Sequence, residues 1–244
     1  MSELFAPLVP NQAFGVILSE AREVLSHLRE PVDAELWGSD MIGALARSAR
    51  DDAAAMSELV SALVPAAEEA ATPEALALLR IFAVVGSPAL RDAAAQAADR
   101  VAELGLPEQP WVTELGLPRV SDCWHYGDIG GRQESVTVSF AYGSKQHALS
   151  VLIDHGRGGK IKDLWVGDAE GLLDQTFLAA DADPLVVFGR LEPAEAHRRL
   201  ECAIEAGECP DKPDQRDAVA AHRGLLYARM SLLAVESAIP PEED

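Results

Sequence analysis

Lysine is scarce in this chain: Lys145, Lys160, Lys162 and Lys212 are the four among 244 residues. Twenty Lys and Arg stand against forty Asp and Glu, a formal net charge of −20. A surface of that sign repels a nucleic-acid backbone, so any such contact needs a locally basic site. The segments 1–110, 111–184 and 185–244 are each net negative, so the acid is spread along the chain. Aromatic residues make up 5% of the chain, few for a row of base-stacking platforms. The three cysteines, Cys123, Cys202 and Cys209, are odd in number and lack CxxC spacing. That argues against a disulfide framework and fits a reducing compartment. No apolar run reaches the roughly 18 residues that would suggest a membrane span. Met1-Ser2-Glu3-Leu4 lacks the cationic start and apolar core of a signal peptide. The expectation is a cytoplasmic protein with no membrane partner.

Complete catalytic signatures are missing as well. There is no GxSxG, no GxGxxG opening a helix after a strand, and no GxxxxGK[ST]. The run His155-Gly156-Arg157-Gly158-Gly159-Lys160 is rich in glycine, but a strand pattern, Ile161 to Val166, follows it where a phosphate loop needs a helix. Its glycines serve a hairpin turn that needs positive φ. No motif calls for a cofactor.

What is present is 48% apolar residues, an ordinary globular content that excludes a wholly disordered chain. Residues 11–30 carry Phe14, Ile17, Leu18, Ala21, Val24, Leu25 and Leu28 at helical spacing, on a helix expected to stop at Pro31. A second helix is expected from Asp33 to about Ala49, burying Leu36, Trp37, Ile42 and Leu45, and a third from about Asp51, with Pro65 near its end. Thr72-Pro73-Glu74 reads as N-cap, N1 proline and first-turn acid of a helix to Val85, apolar on nearly every side. Gly86-Ser87-Pro88 restarts a helix whose stripe is Leu90, Ala94, Ala97, Val101 and Leu104. Together 73–104 form a HEAT-like hairpin. No second copy recurs at a fixed period, so a helical bundle is expected ahead of a solenoid.

After Pro118 the period changes to two. Val136, Val138, Phe140 and Tyr142 alternate with Thr137, Ser139 and Ala141, the pattern of a half-buried strand. Val120–Tyr126, His147–Asp154 and Ile161–Val166 complete a four-stranded antiparallel meander with short turns. Asp168 caps a helix through about Ala180 carrying Leu172, Leu173 and Phe177. Leu185–Phe188 reads as a short buried strand or an entry segment, between which periodicity does not choose. Pro193 and Asp214 open two further helices, and Pro240 to Asp244 should fray. The expected fold class is α+β: a helical bundle in 1–110, then the meander with C-terminal helices packed on it in 111–244.

Functional candidates concentrate in the meander. Lys145, Arg157, Lys160 and Lys162 hold three of the four lysines, with Glu134, Asp154 and Asp163 among them. A solvated hairpin guarded by lysines has the same composition as an anion or acidic-partner site. Cys123, His125, His147, Asp154, His155 and Asp163 are metal-ligating types, although their spacing matches no closed zinc motif and no metal is assigned. The pattern Trp124-His-Tyr-Gly-Asp128, Val136 to Tyr142, His147 to His155 and Gly158 to Asp163 resembles an uncharacterised family of proteins from high-GC Gram-positive bacteria, over residues of about 70–235. The resemblance implies a self-contained domain with no assigned activity. It directs attention to Tyr126, Asp128, His147, Asp154, His155, Lys162 and Asp163. The expected function is a non-catalytic binding or regulatory module working through contacts with a protein partner, with room for a homo-oligomer. The alternative is a metal-dependent hydrolase acting on nucleic acid or nucleotides through the His/Asp cluster. Nucleic acid is otherwise expected only at the Lys145–Asp163 hairpins.

Overall fold

The computed structural model describes residues 10–48 and 52–237. The expected start near Asp51, the Met1–Leu4 segment and the fraying of Pro240–Asp244 lie outside these. The chain divides into two units after Gly116, and the division is α+β.

The first unit is helical: α1 (Pro10–Val24), α2 (Pro31–Ser48), α3 (Asp52–Glu58), α4 (Val64–Ala70), α5 (Pro73–Val85) and α6 (Pro88–Ala102). The α5 cap forms as its residues dictate, the Ala75 N–H donating to Thr72 Oγ1 at 3.2 Å. Ala75, Leu76, Leu78, Leu79, Ile81, Phe82 and Val85 are all buried, so α5 is the axis of this core. Three expectations are corrected here. On α2 the side turned inward is Ala34, Glu35, Gly38, Ser39 and Ile42, while Leu36, Trp37 and Leu45 are only half-buried. Close approach decides it: a Cβ on Gly38 would lie 2.2 Å from Ile81 Cγ2, so small residues must face α5. The helix before Pro65 does not end there. It widens into a π-helical turn at Leu59–Leu63 and continues as α4, with Pro65 in the first turn, where a missing N–H costs least. Leu104, expected on the α6 stripe, is 66% exposed because α6 stops at Ala102.

The second unit is built on a sheet of five antiparallel strands, not four: β1 (Arg119–Asp128), β2 (Gln133–Tyr142), β3 (Lys145–Asp154), β4 (Lys160–Asp168) and β5 (Val186–Arg190), in the order β4-β3-β2-β1-β5. The added strand is the Leu185–Phe188 region. Pairing with β1, not hydrophobic alternation, makes it a strand, and it is half-buried to exposed. Helices α7 (Ala169–Ala182), α8 (Pro193–Ala206) and α9 (Pro213–Ser237) cover the sheet. Val136, Val138 and Phe140 share a face with Val151 and Leu149 across the β2–β3 register. On that face Arg199 of α8 meets Glu134 and Arg229 of α9 meets His147, so α8 and α9 lie there. On the other face Trp124 and Ala148 pack with Ala169, Leu172 and Leu173 of α7. Strand β2 is therefore buried on both faces from Ser135 to Tyr142, not half-buried. Thr137 and Ser150 satisfy each other across the strands at 2.7 Å. Phe177 of α7 is 56% exposed, against expectation.

The two sheet edges differ. Beyond β4 the chain returns after α8, the Ile161 N–H donating to Gly207 O (2.9 Å) and the Cys209 N–H to Ile161 O (2.7 Å), which covers that edge. Along β5 the Leu191 N–H donates to Cys123 O and the Ile129 N–H to Leu185 O. By antiparallel alternation Val187 and Gly189 also bond inward, so the amides of Phe188 and Arg190 point outward.

Candidate functional site

Two adjoining recesses open where the β1–β2 and β3–β4 turns meet. One, of 430 Å³, is lined by Asp128, Arg132, Gln133, Asp154, Gly156 and Arg157. The other, of 370 Å³, has His125, Ile129, Glu134, His155 and Val187 in its wall and shares Asp128 and Gln133. Local chemistry shapes both turns. The Asp128 carboxylate accepts the N–H groups of Gln133 (2.7 Å) and Arg132 (3.0 Å), which hold it below the usual carboxylate range. Gly158 and Gly159, at φ +85° and +76°, turn the chain into β4. The His155 N–H donates to Arg132 O at 2.9 Å and ties one turn to the other.

Within the first recess the charges pair with one another. Asp154, 7% exposed, accepts from Gln133 Nε2 at 3.1 Å and has Lys162 Nζ at 3.7 Å and Arg157 Nε at 3.9 Å. Asp211, from the segment before α9, takes Arg157 Nη1 at 2.5 Å and Lys162 Nζ at 3.2 Å. Hydrogen bonds from Lys162 and Arg157 hold the Asp211 carboxyl below its ordinary range. Two of the four expected cations thus share two carboxylates, one of them, Asp211, brought from outside the hairpin.

Glu134 organises the second recess. It accepts from Arg199 Nη1 at 2.7 Å, lies 3.0 Å from His155 Nε2 and 3.8 Å from His125 Nδ1. Burial, then the Arg199 charge, pushes the His125 pKa down, while Glu134 opposes the shift. His125 fits because its strand neighbour is glycine: a Cβ at Gly189 would lie 2.7 Å from His125 Nε2. Arg199 is held in turn by Glu195, at 2.6 Å and one helical turn away. Arg198 and Arg199 together hold the Glu195 carboxyl down at about 2.

The remaining candidates lie elsewhere. Lys145 starts β3 opposite Tyr142, at the far end of the sheet. His147 is buried near that end, its ring stacked at 5.6 Å from Phe140 and 6.0 Å from Tyr142, with Arg229 Nη2 at 3.2 Å from Nε2. Tyr126 is half-buried on the α7 face, in register with Ser135 and Phe188. Lys160 opens β4 opposite Asp154, and the Asp163 carboxylate accepts the Leu164 N–H at 2.9 Å. The structure therefore gathers Asp128, Asp154, His155, Arg157 and Lys162 and separates them from Lys145 and His147. Among the described residues no three His, Cys, Asp or Glu side chains group so as to hold a metal ion, and no helix is long and apolar enough to cross a membrane.

Sequence reasoning missed Arg199, Glu195 and Asp211 as members of this site. The Glu195–Arg199 spacing of one helical turn was a local signal, but Glu134 and Arg199 are 65 residues apart and no local pattern joins them. No family model matches this chain, and neither a curated protein nor a solved structure matches it.

Proposed function

We propose that the chain is a non-catalytic binding module that takes an extended segment of a protein partner at the β5 edge. One observation carries this reading: large apolar side chains stand exposed around an edge strand that, among the described residues of its unit, pairs with β1 alone. Ile129 (67%), Leu185 (63%) and Val187 (40%) form one group, joined by the Ile129 N–H bond to Leu185 O. Phe177 (56%) and Leu178 (66%) form another, with Phe177 edge-to-face on Phe188 of β5 at 5.7 Å. The outward amides of Phe188 and Arg190 lie between them, the arrangement that adding a strand would satisfy. The neighbouring recesses support the reading, since Asp154, Arg157, Lys162 and Glu134 are already paired there and Ile129 and Val187 form the apolar rim beside them.

Charge selects the partner's chemistry. Asp174, Asp181 and Asp183 are exposed along and after α7, and Arg190, the cation of β5, is paired with Asp122. An apolar strand with basic flanks is complementary to this rim. The test compares capture from the native host by the wild-type chain and by the Leu185→Asp, Val187→Asp variant, with circular dichroism matched. A protein retained by the wild type and reduced by about tenfold or more in the variant is the expected result. Equal retention by both chains, or none by either, overturns the proposal.

A further inference from the structure

The side chain nearest the one bare position of β5 belongs to β1. His125 and Gly189 are register partners, and His125 pairs on its other side with Val136, so all three face α8. Gly189 leaves its side-chain place empty and the His125 ring fills it: a Cβ there would lie 2.7 Å from Nε2 and 3.2 Å from Cδ2. The imidazole therefore leans over β5 towards the edge. Its side chain is 22% exposed, and Nε2 takes no hydrogen bond among the described residues while staying within reach of solvent. Glu134 Oε2, 3.8 Å from Nδ1, draws the ring proton to Nδ1 and leaves Nε2 as an acceptor. Burial and the Arg199 charge keep the ring neutral, pushing its pKa down.

We infer, resting on the strand addition proposed above, that the incoming strand carries a lysine or arginine opposite Gly189 and that this side chain donates to His125 Nε2. Val187 and Gly189 bond inward, so an antiparallel strand would meet Gly189 as a non-hydrogen-bonded pair. That is the closer kind, with Cα atoms about 4.5 Å apart. A side chain there points to the α8 face, and the bare Gly189 leaves it a path across β5 to the imidazole. Charge selects among the donors. The recess beside His125 has Asp128 and Glu134 in its wall and no Lys or Arg. Arg199 is committed to Glu134 and Glu195. Asp128, held ionised by its backbone N–H donors, keeps a charge for an incoming cation. A carboxylate would meet Asp128 and the Nε2 lone pair, and an apolar side chain would strip Nε2 of water with nothing in its place.

Random peptides displayed on phage are the probe, depleted on the Leu185→Asp, Val187→Asp variant and then selected on the immobilised full-length chain. The expected result is a family of apolar peptides that share Lys or Arg at one fixed position. A synthetic member should lose about tenfold in affinity when that residue is changed to Ala. On His125→Leu the two peptides should bind alike, and His125→Gln, which keeps an acceptor, should restore most of the difference. The selection on wild type stands whether or not either variant folds. Selected peptides with no fixed basic position, or an equal loss on His125→Leu, overturn the inference and leave strand addition standing. Recovery of no peptide that prefers the wild type to the rim variant overturns strand addition itself, and this inference with it.

Discussion

Lowering the pH should destabilise the sheet unit through His147, and replacing that one residue should remove much of the effect. The ring is 6% exposed, stacked between Phe140 and Tyr142, and its Nε2 lies 3.2 Å from Arg229 Nη2. The guanidinium also sits 5.3 Å from the centre of the Phe140 ring and 5.8 Å from that of Tyr142, so it has aromatic faces on its own account. A guanidinium has only donors, so Nε2 must be the accepting, unprotonated nitrogen. Protonation would bury a second cation beside the first. Burial, then Arg229, accordingly pushes the His147 pKa from 6.5 down to about 3.

A folded-state pKa below the unfolded one means that the unfolded chain binds the proton first as pH falls. The stabilisation from keeping this ring neutral is complete above about pH 6.5 and declines towards pH 3. The slope is about 1.4 kcal/mol per pH unit, so between about pH 7 and about pH 4.5 the loss is roughly 2–3 kcal/mol. His147→Gln keeps an acceptor for Arg229 and does not titrate. It should cost about 1–2 kcal/mol at neutral pH and be spared the roughly 2–3 kcal/mol acid-induced loss. Hydrogen exchange of the β2–β3 ladder amides at the two pH values measures this for both chains. An equal acid-induced loss in wild type and His147→Gln would refute the reasoning.

Other predictions concern the helical unit and the paired charges. Glu35 is fully buried and accepts the Gly116 N–H at 2.8 Å; Glu35→Ala should lower stability by about 1–3 kcal/mol and Glu35→Gln by less, and thermal unfolding in the reverse order would contradict the assignment. Gly38→Ala drives a methyl into Ile81, 2.2 Å from Cγ2, and should cost about 1–3 kcal/mol in the wild type but clearly less in an Ile81→Ala background; urea unfolding of the two single variants and the double variant checks this, and an equal cost in both backgrounds would mean the contact is not limiting. Asp211→Asn removes a carboxylate shared by Arg157 and Lys162 at an exposed site, so the thermal unfolding midpoint should stay essentially unchanged; a clear drop would show that the cluster holds β4 in place.

Local signals carried the helical half well where a cap or proline marks the chain. Thr72-Pro73 opens α5 as those residues require. The α2 surface was misjudged because the largest apolar residues do not always lie inward. Contact with Ile81 of α5 selects Gly38 for size, and no spacing rule contains that. The antiparallel meander was legible from alternation, whereas β5 was not: Val186-Val187-Phe188 is a continuous apolar run, and its strand character comes from pairing with β1. The site was half legible. Asp154, Arg157 and Lys162 lie within one hairpin, so their proximity follows from the turn. Asp211 arrives on the connection before α9 and Arg199 on α8, and Glu134 acquires Arg199 only through that packing. His147 reads as a candidate ligand in sequence because its spacing does not reveal Arg229, 82 residues away.

The central claim, that the β5 rim takes a partner strand, is tested most directly by site-specific photo-crosslinking in the native host. One probe replaces Val187 on the rim, and a second replaces Lys145 at the far end of the sheet, where the surface is also exposed. The account predicts a single protein adduct from position 187 and none from position 145. No adduct from 187, or the same adduct from both positions, would contradict it.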